Sequence, residues 1–235
     1  MITAADTIEY CAVDSDQYPG RLRIIPDPPT GLYYRGSIDA INESGCIAVI
    51  GTRNASKHGM DTAYHIGKLA AENGFIVVNG LALGIDTAAI RGALDAGGKV
   101  TAILPCGLDQ IVPYSNRDLA REILEKDGCL ISEYPAGTAP QKYSYVQRDR
   151  LQSGISGGII IVEADEKSGT MHTARYALKQ SRRLACYYST LLGTDSGNRA
   201  LISADKAQSL QTDQDILNFI NNEEPIIEYK QLSLF

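Results

Sequence analysis

Three segments of the chain combine glycines with hydroxyl and charged side chains in a way that favours binding of an anion. They read GTRNASKHG (51–59), NGLALGID (79–86) and EADEKSGTMHT (163–173). Glycine lets the backbone approach a ligand closely, while hydroxyls, cations and the free amides of a helix N-terminus bind phosphate. The candidate phosphate-binding residues in these segments are Gly51, Thr52, Arg53, Ser56, Lys57, Gly80, Gly84, Ser168, Gly169 and Thr170.

A second group of cations lies in QRDR (147–150). Arginine presents a planar fork of donors that matches phosphate. Arg53, Arg148 and Arg150 therefore favour a track of exposed cations for several phosphates over a pocket for one. Asp149 places a carboxylate between two of these arginines and weakens the track. Arg175, in the helix predicted after the third segment, adds positive charge.

Several of these features also have a purely structural interpretation. Glycines close the turns between strands and helices, and Asp86 at a helix start is better explained as a cap than as a ligand. The three histidines share no spacing and are interpreted as surface or supporting polar residues. Tyr143 and Tyr145 have ring faces that could stack on bases, but rings of this kind also cover the rim of a core.

Common signatures of catalysis and cofactor binding are missing from the sequence. It contains neither the Walker loop GxxxxGK[ST] nor the GxGxxG fingerprint, which argues against an ATPase or an ordinary NAD enzyme. The five cysteines are widely spaced without a CxxC pair, which argues against a disulfide framework and a zinc site. We expect buried free cysteines, no catalytic residue, no metal and no cofactor.

The charge of the chain is unevenly distributed. The 235 residues are 44% hydrophobic and carry a formal net charge of −6. Residues 142–183, however, hold 8 basic and 4 acidic side chains and lie between two acidic ends. Since the local field decides what a cleft attracts, this block permits an anionic partner, although a solvated helix face explains it equally well.

No feature of the sequence directs the chain to a membrane. An Arg-rich leader, a signal-peptide pattern and an apolar run near 18 residues are all missing. We therefore expect a cytoplasmic protein with no membrane contact.

Six short apolar runs alternate with helix-like segments from residue 46 onward. Runs that are rich in Ile and Val and lack strict alternation are typical of parallel strands covered on both faces. The predicted fold is therefore α/β, with a doubly wound, mostly parallel, Rossmann-like sheet of six or more strands and helices on both faces. The six runs are CIAVIG (46–51), FIVVNG (75–80), KVTAILPCG (99–107), CLISEYPAG (129–137), GIIIVEAD (158–165) and RLACYY (183–188).

We divide the chain into three parts. Residues 1–45 are rich in Pro and Gly and read as an irregular lead-in packed on the core, with one edge strand. Residues 46–205 form the Rossmann-like domain. Residues 206–235 hold a short helix at 213–222 and a C-terminal tail.

Eight ordered motifs resemble the DNA-processing protein A family, also called Smf, over residues 18–205. The resemblance implies a Rossmann-like core that binds single-stranded DNA, forms dimers and helps to load the RecA recombinase during uptake of transforming DNA. It also places Arg53, Ser56, Arg148, Arg150 and residues 168–170 along a DNA-facing crevice. The motifs are YPGRLRIIPDPPTGLYYRG, IAVIGTRNASKHG, NGLALGIDTAA, LPCGLD with VPYSN, LISEYPAG, QRDR, VEADEKSGTMHTARYA and GNRALI.

The sequence departs from the family pattern in three places. The family usually has a histidine shortly after GID, where this chain reads TAAI. It usually has RNR where this chain reads RDR, and PG after the sixth strand where this chain reads YYST. These departures point to a divergent member.

Two other functions remain open from the sequence. A single phosphate-binding loop serves a nucleotide sensor as well as a DNA binder. Relatives with a Rossmann-like fold also include nucleoside monophosphate phosphoribohydrolases, for which Glu133 or Glu163 would assist departure of the base. The PGGxGT loop of those enzymes is replaced here by EKSGT, which argues against that activity.

The chain ends in QLSLF (231–235), after a polar stretch. This ending resembles the short peptide by which bacterial DNA polymerases and repair proteins bind the sliding clamp. In that interpretation Leu232, Leu234 and Phe235 fill a pocket and the Gln231 amide fixes the register. The alternative is a terminal strand that packs these side chains on the protein's own core.

Overall fold

The computed structural model describes residues 7–222, which form one sheet of nine strands with helices on both faces. The strands are β1 Glu9–Ala12, β2 Gly31–Gly36, β3 Cys46–Ile50, β4 Ile76–Asn79, β5 Val100–Ile103, β6 Cys129–Ser132, β7 Gly158–Ile161, β8 Arg183–Tyr187 and β9 Gln208–Leu210. The helices are α1 Gly20–Arg23, α2 Ala40–Glu43, α3 Lys57–Glu72, α4 Ile85–Asp95, α5 Arg117–Glu125, α6 Lys142–Ile155, α7 Thr170–Lys179, α8 Ser196–Ser203 and α9 Asp213–Asn221.

The strand order is β1-β2-β6-β5-β4-β3-β7-β8-β9, and β3 to β9 are mutually parallel where they pair. Among the described strands, the two antiparallel pairs are β1 with β2 and β2 with β6. All six predicted strands are present, and the predicted doubly wound α/β fold is confirmed.

The central strands are buried because both of their faces are covered by helices. In β3, Ile47 and Val49 pack in the core layer that contains α3 and α4. Ala48 and Ile50 point the other way, into the layer that contains α7 and α8. Alternate residues of a strand face opposite sides, so a strand covered twice must be apolar throughout. This explains the uninterrupted apolar runs in the sequence.

The segment before residue 46 is more regular than we predicted. It contains the two strands β1 and β2 and two short helices. Leu22 of α1 packs so closely on α6 that a Cβ at Gly154 would lie 2.6 Å from the Leu22 Cδ2 atom. Antiparallel pairing supplies hydrogen bonds that the sequence pattern alone does not reveal, because Pro and Gly obscure the alternation.

The segment after residue 205 also contributes to the sheet. Strand β9 pairs with β8, and α9 buries Ile216, Phe219 and Ile220 in the core while Leu217 is only partly buried. The predicted helix at 213–222 is confirmed. The tail that carries QLSLF lies outside the described residues, and the division of the chain into three parts stays a proposal.

The five cysteines are all buried and free, as predicted. Within residues 7–222, no helix is both long and apolar enough to cross a bilayer.

The topology fixes where a ligand crevice must lie. From β3 the sheet grows in one direction through β4, β5 and β6, and in the other through β7, β8 and β9. The helices that follow β3 and β7 therefore leave toward opposite faces and open a gap between the carboxyl ends of these two strands. Doubly wound sheets bind their ligands at such a switch point.

Candidate functional site

A crevice of about 460 Å³ lies at the switch point between β3 and β7. Four segments line it: the loop after β3, the loop that leads into α4, one side of α6 and the start of α7. The predicted residues that it brings together are Gly51, Thr52, Arg53, Arg148, Ser168, Gly169 and Thr170.

The loop after β3 is held in place by backbone contacts. The Thr52 amide donates to the Glu163 carbonyl oxygen at 2.7 Å, and the Ile85 amide donates to the Thr52 carbonyl oxygen at 3.2 Å. A Cβ at Gly51 would lie 2.5 Å from the Ile85 Cγ1 atom, so only glycine fits there. Arg53, two residues after Gly51, is exposed, and its guanidinium lies 5.2 Å from the centre of the Tyr145 ring. This loop therefore presents an exposed cation from a backbone held by hydrogen bonds.

Arg148 provides a fixed cation on the crevice floor. Its side chain is buried, and Nη1 donates to the Ile103 carbonyl oxygen at 2.7 Å. The guanidinium packs on Gly80, where a Cβ would lie 1.8 Å from Nη1. Gly80 therefore gives room to the arginine and does not itself line the crevice; it lines a smaller neighbouring pocket of about 100 Å³.

Two carboxylates share the floor with Arg148. Asp86 accepts hydrogen bonds from the amides of Gly80 at 3.0 Å and Ala82 at 3.2 Å, so it stabilises the preceding loop. Asp149 accepts from Gln152 Nε2 at 2.9 Å. Burial raises the pKa of both carboxyl groups, that of Asp149 to about 6, while the charge of Arg148 opposes the shift.

The start of α7 has no side-chain cap, since the N-cap residue is Gly169. The amides of Met171 and His172 donate to the carbonyl oxygens of Ser168 at 3.2 Å and Gly169 at 2.9 Å. The Ser168 hydroxyl oxygen is buried and has no hydrogen-bond partner in the described part of the chain. A Cβ at Gly169 would meet nothing within 4 Å, so the space above it is open. A helix start of this kind favours an anion.

Arg150 does not belong to the crevice, and the expectation of an exposed arginine track is wrong. Residues two apart on a helix point about 200° away from each other. Arg150 therefore faces the opposite side of α6, where Nη1 donates to Glu133 Oε2 at 2.7 Å and Nε donates to Asp27 Oδ2 at 3.2 Å. Its side chain is 8% exposed and that of Arg148 is 6% exposed. Both arginines are thus largely buried, Arg148 at the crevice floor and Arg150 on the opposite side of α6.

Four further predicted residues lie outside the crevice lining. Ser56 caps α3, since its hydroxyl oxygen accepts from the Gly59 amide at 3.0 Å. Gly84 has φ of 75°, and a Cβ there would lie 2.5 Å from the Thr52 carbonyl oxygen. Its role is to let two loops approach each other. Lys57 is exposed at the start of α3, and Arg175 is exposed in the middle of α7.

The two glutamates considered for base cleavage have structural contacts. Glu163 is 1% exposed and accepts hydrogen bonds from the Ser56 hydroxyl at 2.7 Å and the Thr194 amide at 3.2 Å. It thereby joins the loops after β3 and β8. Glu133 is paired with Arg150. Neither glutamate lines the crevice, so its geometry does not support the phosphoribohydrolase hypothesis.

Several residues that line the crevice were not among the phosphate-binding residues predicted from the sequence. Tyr145, Asp149 and Gln152 line it together with Arg148, and His172 and Thr173 line it from α7. The spacing of Tyr145, Arg148, Asp149 and Gln152 places them on one side of a helix, and this periodicity was the available signal.

The profile of the family described as DNA recombination-mediator protein A matches residues 9–221. The chain belongs to this family. The DNA processing protein DprA of Bacillus subtilis is 33% identical over 209 residues, which cover 89% of this chain and 70% of that protein.

Two solved structures of DprA proteins share the fold closely. The structure from Streptococcus pneumoniae has a TM-score of 0.84 and 32% identity, and the match covers 92% of this chain and 76% of that one. The structure from Helicobacter pylori has a TM-score of 0.82 and 30% identity, with 92% and 98% covered. The latter is described as giving insight into the single-stranded DNA binding mode of that protein. The nine-stranded sheet is thus the sheet of the DNA recombination-mediator protein A family.

Proposed function

We propose that this chain is a non-catalytic single-stranded DNA-binding protein of DNA processing and recombination. The observation that carries the proposal is the crevice, in which the exposed Arg53, the fixed Arg148 and the uncapped start of α7 face one space. Family membership supports it, as does the binding mode described for the Helicobacter pylori protein.

The arrangement suits a strand better than a lone phosphate. Arg53 and the start of α7 come from loops on either side of the switch point, so they can hold successive phosphates of one backbone. The ring of Tyr145 lies in the crevice. A ring in this position can stack on a base of any identity, which favours binding without base preference.

Salt and strand length provide the test of this proposal. We expect oligo-dT to bind more tightly than a duplex of the same length, and to gain affinity with length until the crevice is filled. The logarithm of affinity should fall against the logarithm of salt concentration with a slope of about −0.7 per phosphate neutralised. Fluorescence anisotropy over a series of lengths and salt concentrations measures both quantities.

A nucleotide sensor is the second candidate, because the start of α7 by itself is a site for a single phosphate. The same length series separates the two functions. If a mononucleotide binds as tightly as a long oligonucleotide, or if affinity does not depend on salt, the DNA-binding proposal is wrong.

We also propose that QLSLF binds the bacterial sliding clamp. The support is the sequence itself: Leu232, Leu234 and Phe235 are apolar anchors at the end of a polar segment, and Gln231 supplies an amide. A small set of anchors should bind at roughly micromolar strength. We expect a peptide of residues 223–235 to bind purified clamp, and Leu234→Ala with Phe235→Ala to abolish this binding.

The matched control for the tail is Ser233→Ala, which leaves the anchors intact and should retain binding. The DNA affinity of the protein should be the same in all of these variants. If the double substitution instead unfolds the protein, as circular dichroism would show, the tail packs on its own core and does not bind the clamp.

From the resemblance to the family, we also propose that the protein forms a homodimer, that it contacts the RecA recombinase, and that it is located in the cytoplasm, where the DNA is. Among the predicted phosphate-binding residues, those in the crevice lining are the ones we propose to contact DNA directly. The crevice geometry assigns Arg150, Ser56, Gly80 and Gly84 supporting roles, and Lys57 and Arg175 stay proposed as peripheral cations.

A further inference from the structure

Asp149 is the acidic neighbour of the fixed cation in the crevice. Its side chain is 12% exposed, lines the crevice and places Oδ1 3.2 Å from Arg148 Nε. The carboxylate therefore offsets the charge of Arg148, and a phosphate that approaches Arg148 also approaches Asp149.

Charged groups face Asp149 from several elements. Arg148 lies beside it on α6, Asp86 faces it from α4, Arg53 faces it from the loop after β3, and His172 lines the same crevice from α7. Burial and, to a smaller extent, the nearby Asp86 raise the pKa of Asp149, the two arginines lower it, and the net result is a pKa of about 6. This carboxyl group therefore gains or loses its proton close to neutral pH, unlike an exposed aspartate.

We propose that Asp149 is a resident counter-ion that competes with DNA phosphate for Arg148, and that binding of DNA is coupled to uptake of a proton by Asp149. The proposal rests on the proposed function of the crevice and adds to it how the site is regulated. The aspartate of the RDR motif thus makes DNA affinity sensitive to pH.

The direction of the pH dependence follows from the charges. A bound phosphate disfavours the ionised form of Asp149, so its pKa is higher in the complex than in the free protein. Protons are then taken up on binding whenever the pH lies between these two values. By linkage, affinity is greatest below the pKa of the free protein and falls as pH rises through about 6 and above.

The test compares the wild-type protein with Asp149→Asn and His172→Gln at constant ionic strength. We expect wild-type affinity for oligo-dT to be at least about fivefold greater near pH 5.5 than near pH 8, since each unit of pKa difference permits up to a tenfold change. Asp149→Asn should bind tightly with little dependence on pH. His172→Gln should retain most of the pH dependence, because it leaves Asp149 and Arg148 in place.

A second measurement needs no substitution. Calorimetric titration of the wild-type protein with oligo-dT near pH 6.5, in two buffers of different ionisation enthalpy, should show net proton uptake. If Asp149→Asn retains the wild-type pH dependence, or if no protons are taken up, the inference is wrong while the proposed function stands. If the wild-type protein does not bind oligo-dT at any pH, the proposed function itself is wrong.

Discussion

Replacing Arg150 with alanine is expected to destabilise the protein by about 3 kcal/mol, because the substitution breaks a largely buried ion pair. The guanidinium is 8% exposed and donates to Glu133, whose side chain is 19% exposed, and to the more exposed Asp27. Because Glu133 is largely buried, little water can reach its carboxylate to replace the lost arginine. For a chain of this length, the loss corresponds to a decrease in melting temperature of about 6–12 °C.

Thermal and urea unfolding followed by circular dichroism measure this effect. The matched control is Arg175→Ala, which removes an exposed cation from α7 and should leave the melting temperature within about 1 °C. Should Arg150→Ala melt like the wild type and yet lose DNA affinity, Arg150 would be a DNA ligand and not a structural residue.

Reversing the charge of Arg53 is expected to reduce DNA affinity by about tenfold or more without affecting the fold. A hydrogen bond to a charged group contributes about 1.5–3 kcal/mol, and each 1.4 kcal/mol corresponds to a factor of ten in affinity. Arg53→Glu removes such a contact and adds repulsion against phosphate. Because Arg53 is exposed and its recorded partner is the Tyr145 ring, stability should change little.

The matched control for net charge is Arg121→Glu on α5. Arg121 is also exposed, with a side chain 62% accessible, and does not line the crevice. Anisotropy titrations at low and moderate salt should show a large loss for Arg53→Glu and a small one for Arg121→Glu. Equal losses would mean that overall charge, and not the crevice, controls binding.

The sequence predicted the strands of the core well, because each is a short apolar run between glycines. It could not predict the strand order, which depends on pairings between distant segments such as Ile47 with Gly158. For the same reason, β1 and β2 were only partly anticipated, since β1 pairs with β2 and β2 in turn pairs with β6, about 100 residues later.

The loops of the site were predictable because each directly follows a strand, and parallel strands end at one edge of the sheet. The burial of Arg148 and Arg150 was not predictable. It depends on the Ile103 carbonyl, 45 residues away, and on Asp27, 123 residues away. Local sequence gives the charge of an arginine but not the partners that decide whether it faces solvent.

The position of the crevice between β3 and β7 has a consequence for how the protein is made. These two strands are adjacent in the sheet, although more than 100 residues separate them in the chain. Long-range parallel pairing forms slowly, because loop closure must precede the contacts that stabilise it. During synthesis, β1 to β6 emerge from the ribosome before β7, and one edge of β3 is left without its neighbour. The binding site is thus completed only after β7 and α7 have been translated, and until then a nascent chain carries an open sheet edge that can pair with another chain.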